Sequence, residues 1–172
     1  MMVFDKFKSI DTFILDVDGV LTTGKVWAED QGTFTRDFNI KDGFALQYAV
    51  KQGYRIIIIS GGDSEGVRNR LKTLGIQEVH TAISNKKKHL ELLSQRLSLD
   101  LDNALYMGDD YPDISPMKLC GIKAAPKDAA WEVQVEADII TKAAGGQGAV
   151  REVIEKVLIL QDRWENTENA VW

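Results

Sequence analysis

The chain has 172 residues, which suits one domain of about 150 residues. That is long enough to bury its own core without a disulfide or zinc staple. Hydrophobic residues at 44% and charged residues at 27% exclude a disordered or fibrous chain, and a net charge of −5, from 21 Lys and Arg against 26 Asp and Glu, argues against a general nucleic-acid binder with its basic field.

Phe13-Ile14-Leu15-Asp16-Val17-Asp18-Gly19 reads as a short buried strand that ends in carboxylates. Residues 25–38 read as a β-hairpin with its turn at Asp30-Gln31-Gly32. A helix over 42–52, capped by Asp42 and ended by Gly53, precedes a strand over 54–60. Its four consecutive isoleucines, 56–59, suit a parallel sheet covered on both faces. Helices follow at 63–74, 85–97, 114–119, 129–135 and 148–162, with strands at 78–80, 103–107, 122–124 and 138–140. Residues 163–172 turn polar and read as a tail. This alternation predicts an α/β doubly wound, Rossmann-like fold: a parallel sheet of about five strands, helices on both faces, and the hairpin as a flap. One domain over 1–162 leaves no room for a cap domain.

Cys120, alone, allows no internal disulfide and no CxxC metal cluster, and His80 and His89 fit no HExxH pattern. The N-terminal MMVFDKFKSI has no long apolar stretch, so no signal peptide is expected. The aliphatic run 56–59 falls far short of the ~20 residues of a membrane span. The expected location is cytoplasmic, with neither membrane nor nucleic acid as a partner.

Ligands of doubly wound sheets bind at the carboxyl ends of the strands. Polar residues collect there: Asp16 and Asp18, then Ser60-Gly61-Gly62, then Gly108-Asp109-Asp110. Residues i and i+2 of an extended chain face the same side, which would bring Asp16 and Asp18 to one ligand. Converging carboxylates repel unless a cation neutralises them, and hard oxygen ligands suit Mg²⁺. With Mg²⁺ and a phosphate, one Asp can attack phosphorus to form an aspartyl-phosphate, and a second can protonate the leaving alcohol and then deprotonate water. Ser60 can donate its hydroxyl and amide to a phosphoryl oxygen, and Gly61 lets the backbone approach closely.

In that order along the chain, Asp16-Val17-Asp18-Gly19-Val20, Ser60, Lys86 and Gly108-Asp109-Asp110, with Asp113 beyond, resemble the four motifs of the haloacid dehalogenase superfamily of phosphotransferases. The resemblance implies Asp16 as nucleophile and metal ligand, and Asp18 as general acid/base with its backbone carbonyl on the metal. It implies Asp109 as a direct Mg²⁺ ligand, Ser60 and Lys86 on the phosphate, and Asp110 and Asp113 holding metal-bound waters or orienting Lys86. A narrower set is similar to the 3-deoxy-D-manno-octulosonate 8-phosphate (KDO 8-phosphate) phosphatases. It comprises Asp16-Val17-Asp18-Gly19-Val20-Leu21-Thr22, Phe38-Asn39-Ile40-Lys41-Asp42-Gly43, Ser84-Asn85-Lys86 and Gly145-Gly146-Gln147-Gly148-Ala149-Val150-Arg151-Glu152. That family implies a capless homotetramer in cell-envelope sugar metabolism. Its hairpins cover neighbouring active sites, and its C-terminal tail reaches toward an adjacent one. This chain departs from it at Gly62, Lys41 and Gln147, where the family usually has Arg. Since Arg pairs bidentately with carboxylates, these departures bear on which sugar acid binds, and nine-carbon sugar-acid 9-phosphates stand as the alternative substrates.

Plainer readings stand beside these. An EF-hand loop starting at Asp16 would need an acid where Trp27 stands and glycine where Leu21 stands. Ser60 also suits a strand-end cap, Lys86-Lys87-Lys88 a solvated helix face, and Asp110 a helix cap. Trp27 and Phe34 suit cross-strand packing or an oligomer contact. A phospho-acceptor module of the receiver kind would carry its acidic pair on the first strand and its acceptor Asp on a later one, and this chain has the opposite order. A catalytically quiet interaction subunit is the remaining alternative.

Overall fold

The computed structural model describes residues 3–164, with side chains from Asp5 onward. A short helix α1 (Val3–Phe7) leads into strand β1 (Thr12–Leu15), and the chain then leaves for an antiparallel hairpin, β2 (Trp27–Ala28) and β3 (Phe34–Thr35). Helix α2 (Ile40–Lys51) returns it to β4 (Arg55–Ile59), followed by α3 (Glu65–Thr73) and β5 (Glu78–His80). Helix α4 (Lys86–Leu97) and a 3₁₀ turn at Leu101–Asn103 reach β6 (Ala104–Met107). Then come α5 (Tyr111–Met117), β7 (Ile122–Ala125), α6 (Trp131–Glu136), β8 (Ile139–Ile140) and α7 (Ala149–Leu160).

The main sheet has six strands where about five were expected, in the order β5-β4-β1-β6-β7-β8, with every pairing parallel. The chain winds outward from β1 through β4 to β5, then crosses back to β6 and winds the other way. The switch point therefore lies between β1 and β6, where such sheets bind ligands beyond the strand ends. Successive strand residues feed opposite faces. Phe13, Leu15, Ile56, Ile58, Leu105 and Met107 pack under α1, α2, α3 and α7. Ile14, Ile57, Ile59 and Tyr106 pack under α4, α5 and α6. A side chain of this size contributes about 1.5–3 kcal/mol when fully buried, so the unbroken isoleucine run of β4 serves both layers. The hairpin shares no ladder with the main sheet. Its base is tied by Asp37, whose Oδ1 accepts from the Thr23 amide at 3.3 Å and the Thr23 hydroxyl at 3.0 Å. Among the described residues no further layer covers the carboxyl ends of the strands.

Two local expectations are corrected. Asn39, not Asp42, caps α2: its side chain accepts from the amides of Lys41 and Asp42, so the helix starts at Ile40. Asp42 lies in the first turn, 1% exposed, and serves a different helix. Its two oxygens accept from Gly148 N at 3.1 Å and Arg151 N at 2.7 Å, at the start of α7, which has no side-chain cap of its own. Helix α5 starts at Tyr111 rather than 114, because Asp110 and Asp113 form a capping box ahead of the apolar residues that marked it in the sequence. Of the expected tail, Arg163 and Trp164 are described and 165–172 lie outside the described residues. Trp164 packs edge-on against Tyr48 with ring centroids 5.0 Å apart.

Replacing Asp42 with Ala removes the acceptor of two part-buried N–H groups. Asp42→Ala is expected to lower the free energy of unfolding by about 1–2 kcal/mol, and Asp42→Asn by less, as measured by urea denaturation.

Candidate active site

Strand β1 is paired on both sides up to Leu15, opposite Ile58 and Met107. Asp16 is thus the first residue past the ladder, with its amide still donating to Met107 O at 3.1 Å. The chain then turns sharply, since the amides of Val20, Leu21 and Thr22 all converge on Val17 O. The turn needs Gly19, whose φ of +81° suits glycine and whose missing Cβ leaves room for the Asp109 carboxylate. Asp16 and Asp18 line one cavity of about 500 Å³, as expected of a pair serving one ligand. Because the chain turns at Asp18 instead of staying extended, the two carboxylates meet different partners. Asp16 Oδ1 faces Lys86 Nζ at 2.9 Å, whereas Asp18 Oδ1 pairs with Arg36 Nε at 2.6 Å.

The carboxylates that converge are Asp16, Asp109 and Asp113, which offer oxygens within 4.8 Å of one another. Asp113 holds this group in register. Its Oδ1 accepts from Lys86 Nζ at 2.7 Å and from the Tyr106 hydroxyl at 2.7 Å, and its Oδ2 accepts the Asp109 amide at 3.2 Å. Burial, with the charges of Asp113 and Lys86 acting in opposite directions, pushes the Asp16 carboxyl up to about 7. Burial and the neighbouring Asp16 push Asp109 to about 8. Burial alone would disfavour the Lys86 ammonium, yet Asp16 and Asp113 outweigh it and hold its pKa above the ordinary value. Lys86 pairs with Asp16 and Asp113 but not with Asp109, so the site with all three carboxylates ionised would carry two uncompensated negative charges. A divalent cation on oxygen ligands fits that donor set and that deficit, with Asp16 and Asp109 as its carboxylate donors.

On the other side of the cavity, β4 ends in Ser60, which is 3% exposed. Its amide donates to His80 O at 2.9 Å and its Oγ accepts the Gly62 amide at 3.2 Å. Gly61 lines the cavity, but a Cβ there would meet only Ile83 O at 3.8 Å, so packing does not demand glycine. Lys86 is the first residue of α4, set by the Asn85 cap, and is buried, unlike its half-exposed neighbour Lys87. Asp110 lines the cavity and also caps α5 through the Tyr111 amide at 2.8 Å. Cys120 is buried, the His80 and His89 rings pack at a tilt with centroids 4.7 Å apart, and none of the three lines the cavity.

Two residues of this network escaped the sequence reading. Tyr106 lay within an expected strand, where its only signal was a polar-tipped aromatic in an apolar run. Arg36 lay in the alternating part of the hairpin, where nothing local distinguishes a cation facing the site from one facing solvent.

Comparison with known proteins gives the class first: the model of the haloacid dehalogenase-like hydrolases matches residues 77–154, from the start of β5 into α7. Over the whole chain, the 3-deoxy-D-manno-octulosonate 8-phosphate phosphatase of Escherichia coli K12 is 34% identical across 166 residues, covering 96% of this chain and 88% of the relative. The crystal structure of the phosphatase of that name from Moraxella catarrhalis, in complex with magnesium ion, phosphate ion and KDO, aligns with a TM-score of 0.91 at 34% identity, over 95% of this chain and 94% of that one. The one from Yersinia pestis aligns with a TM-score of 0.92 at 31% identity, over 95% and 89%. The chain belongs to the family of 3-deoxy-D-manno-octulosonate 8-phosphate phosphatases.

The Tyr106 hydroxyl donates to a charged, fully buried acceptor. Tyr106→Phe keeps the ring and removes the donor, and is expected to cost about 1.5–3 kcal/mol of stability in chemical denaturation.

Proposed function

We propose that this chain is a Mg²⁺-dependent phosphatase that hydrolyses 3-deoxy-D-manno-octulosonate 8-phosphate to the free sugar acid and phosphate. The observation that carries the reading is the buried cluster of Asp16, Asp109 and Asp113 around Lys86 at the switch point of the sheet, in a chain whose relatives bear that activity in their names. The Asp16 carboxylate attacks phosphorus and the ester P–O bond breaks. Asp18 gives its proton to the leaving oxygen of the sugar, and Asp16 is left as the aspartyl-phosphate. Asp18 then takes a proton from water as the water attacks phosphorus, which releases phosphate and restores Asp16. The Lys86 ammonium and the Ser60 hydroxyl bind the phosphoryl oxygens, with Gly61 leaving the approach open. Asp113 keeps Lys86 in place, and Asp110 holds the start of α5 beside the site. Mg²⁺ held by Asp16, Asp109 and the Asp18 carbonyl supplies, when bound, a Lewis acid that offsets the charge on the phosphoryl oxygens.

The catalytic unit in this reading is 1–162, with 25–38 as a flap and 163–172 as a tail reaching toward a neighbouring site. Val26, Trp27 and Phe34 are large apolar side chains left 45%, 54% and 59% exposed on the hairpin, which supports a homotetramer in which each flap covers an adjacent site. The reaction belongs in the cytoplasm, on the route to the sugar acid of lipopolysaccharide. Among the described residues no helix is long and apolar enough to cross a membrane.

Phosphate release with Mg²⁺ is measured on 3-deoxy-D-manno-octulosonate 8-phosphate, nine-carbon sugar-acid 9-phosphates and glucose 6-phosphate. The eight-carbon acid is expected to be preferred, and preference for a nine-carbon acid would reassign the substrate while keeping the chemistry. Asp16→Asn is expected to lower turnover on the order of a thousandfold or more, and chelation of the metal to abolish it. Light scattering is expected to give four times the chain mass, and Trp27→Ser with Phe34→Ser to give smaller species.

A further inference from the structure

Lys86 is the one cation among the described residues lining the catalytic cavity, which also holds Asp16, Asp18, Asp109, Asp110 and Asp113. That ammonium is already engaged by Asp16 and Asp113. A substrate with a phosphate at one end and a carboxylate at the other would bring further negative charge into this acidic cavity. Its phosphate has Lys86 and the metal to meet it. Its carboxylate needs a second cation, set back from the first.

Arg36 stands where such a cation is required. It follows β3 at the hairpin base, and its side chain is only 13% exposed. The guanidinium reaches over the strand ends to Asp18, with Nε 2.6 Å from Oδ1 and Nη2 3.4 Å from Oδ2. It lies beside Gly62: a Cβ at that position would come within 3.3 Å of Arg36 Nη2 and 3.4 Å of Asp18 Oδ2. The glycine thus leaves free the volume in which the guanidinium sits, and any side chain at residue 62 would crowd it. On its far side Arg36 lines a second cavity of about 280 Å³, between the hairpin and α3, walled by Phe34, Phe38 and Val67 and carrying the guanidinium of Arg70. Between the two cavities Arg36 packs with Asp18, Ser60 and Gly62 around a seam too narrow to hold a water molecule, so its contact with the catalytic cavity is made through Asp18 and Gly62, which line that cavity. A guanidinium has more N–H donors than the two it gives Asp18, in a planar fork matched to a carboxylate.

We propose that Arg36 is the substrate-carboxylate receptor of this enzyme: a hairpin guanidinium, admitted by Gly62, that holds the acid end of the phosphorylated sugar acid at the mouth of the second cavity. This deepens the phosphatase reading and rests on it. The hairpin becomes part of the specificity pocket of its own chain, in addition to any contact it makes with a neighbour. Arg36 also links recognition to chemistry, since the carboxylate it receives competes for donors now facing Asp18.

The test compares wild type, Arg36→Ala, Arg36→Lys and Gly62→Leu on 3-deoxy-D-manno-octulosonate 8-phosphate, a nine-carbon sugar-acid 9-phosphate and glucose 6-phosphate, with kcat and KM measured separately and thermal melts confirming folding. In wild type, kcat/KM is expected to favour an acid-bearing phosphate over glucose 6-phosphate. Arg36→Ala is expected to raise KM for that acid about 10–100-fold and so erase most of the preference, in line with the loss of charge-assisted hydrogen bonds. Arg36→Lys should restore part of the preference. Gly62→Leu, which crowds the guanidinium, should shift KM in the same direction as Arg36→Ala. A wild-type preference that survives in Arg36→Ala overturns the assignment of Arg36 and leaves the phosphatase reading standing. Equal loss of kcat on all substrates also overturns it, because Arg36 would then act only through Asp18. A wild-type enzyme that releases phosphate with no preference for any acid overturns the sugar-acid reading together with this proposal.

Discussion

Carboxylates packed within 4.8 Å of one another, with burial and mutual repulsion raising the pKa of Asp16 and Asp109 well above the usual carboxylate range, would push the strand ends apart when ionised if nothing opposed them. The Lys86 ammonium opposes them, and much of the local architecture places that one group. Asn85 caps α4 so that Lys86 is its first residue, and from there the ammonium reaches both Asp16 just past β1 and Asp113 in the first turn of α5. Asp113 is in turn fixed by Tyr106 and by the amide of Asp109, so the loop after β6 and the first turn of α5 share one carboxylate. Moving any of these elements by an ångström would leave a buried charge without its partner, which is far costlier than the pair is stabilising.

The sheet supplies the rigidity on which this balance rests. Strand β1 is flanked on both sides and buried on both faces, so Asp16 projects from the best-supported point of the molecule. The turn after it is clamped from the far end of the chain, where Gly146 N donates to Val20 O at 2.9 Å and the Asn39 side chain donates to Gly146 O at 3.2 Å. Asp42 adds the connection between α2 and the start of α7. Residues more than a hundred positions apart thereby hold the nucleophile's loop and the helix behind it as one body.

Much of this was legible in the sequence because it rests on local signals. The isoleucine run and the strand-ending carboxylates each carry their meaning within a few residues. Asp16 and Asp109 were found that way, Lys86 only through the resemblance at Ser84-Asn85-Lys86, and the structure brings the three together. What was not legible depends on contacts across the fold. Asp42 looked like the cap of its own helix, but its acceptors serve one that begins over a hundred residues later. Asp113 looked like a supporting acid, and its place within the cluster follows from a helix start that the apolar periodicity concealed. Asp18 pointed to Arg36 because the chain turned a residue earlier than an extended strand would, and no residue-by-residue reading of an alternating hairpin could have singled out Arg36.

The hairpin that carries Arg36 forms a sheet of its own, tied at its base by Asp37 and Thr23 and sharing no backbone ladder with the six-stranded core. Its sequence is therefore free of the register that constrains every strand of the main sheet. Insertions, charge reversals and changes of length within 25–35, short of the Arg36 and Asp37 anchors, alter the hairpin without touching the backbone pairing of the strand ends. A lineage built on this scaffold can change its diet of substrates by editing those few consecutive codons while inheriting its reacting carboxylates, and the same stretch is the natural place for a laboratory library seeking new phosphate esters.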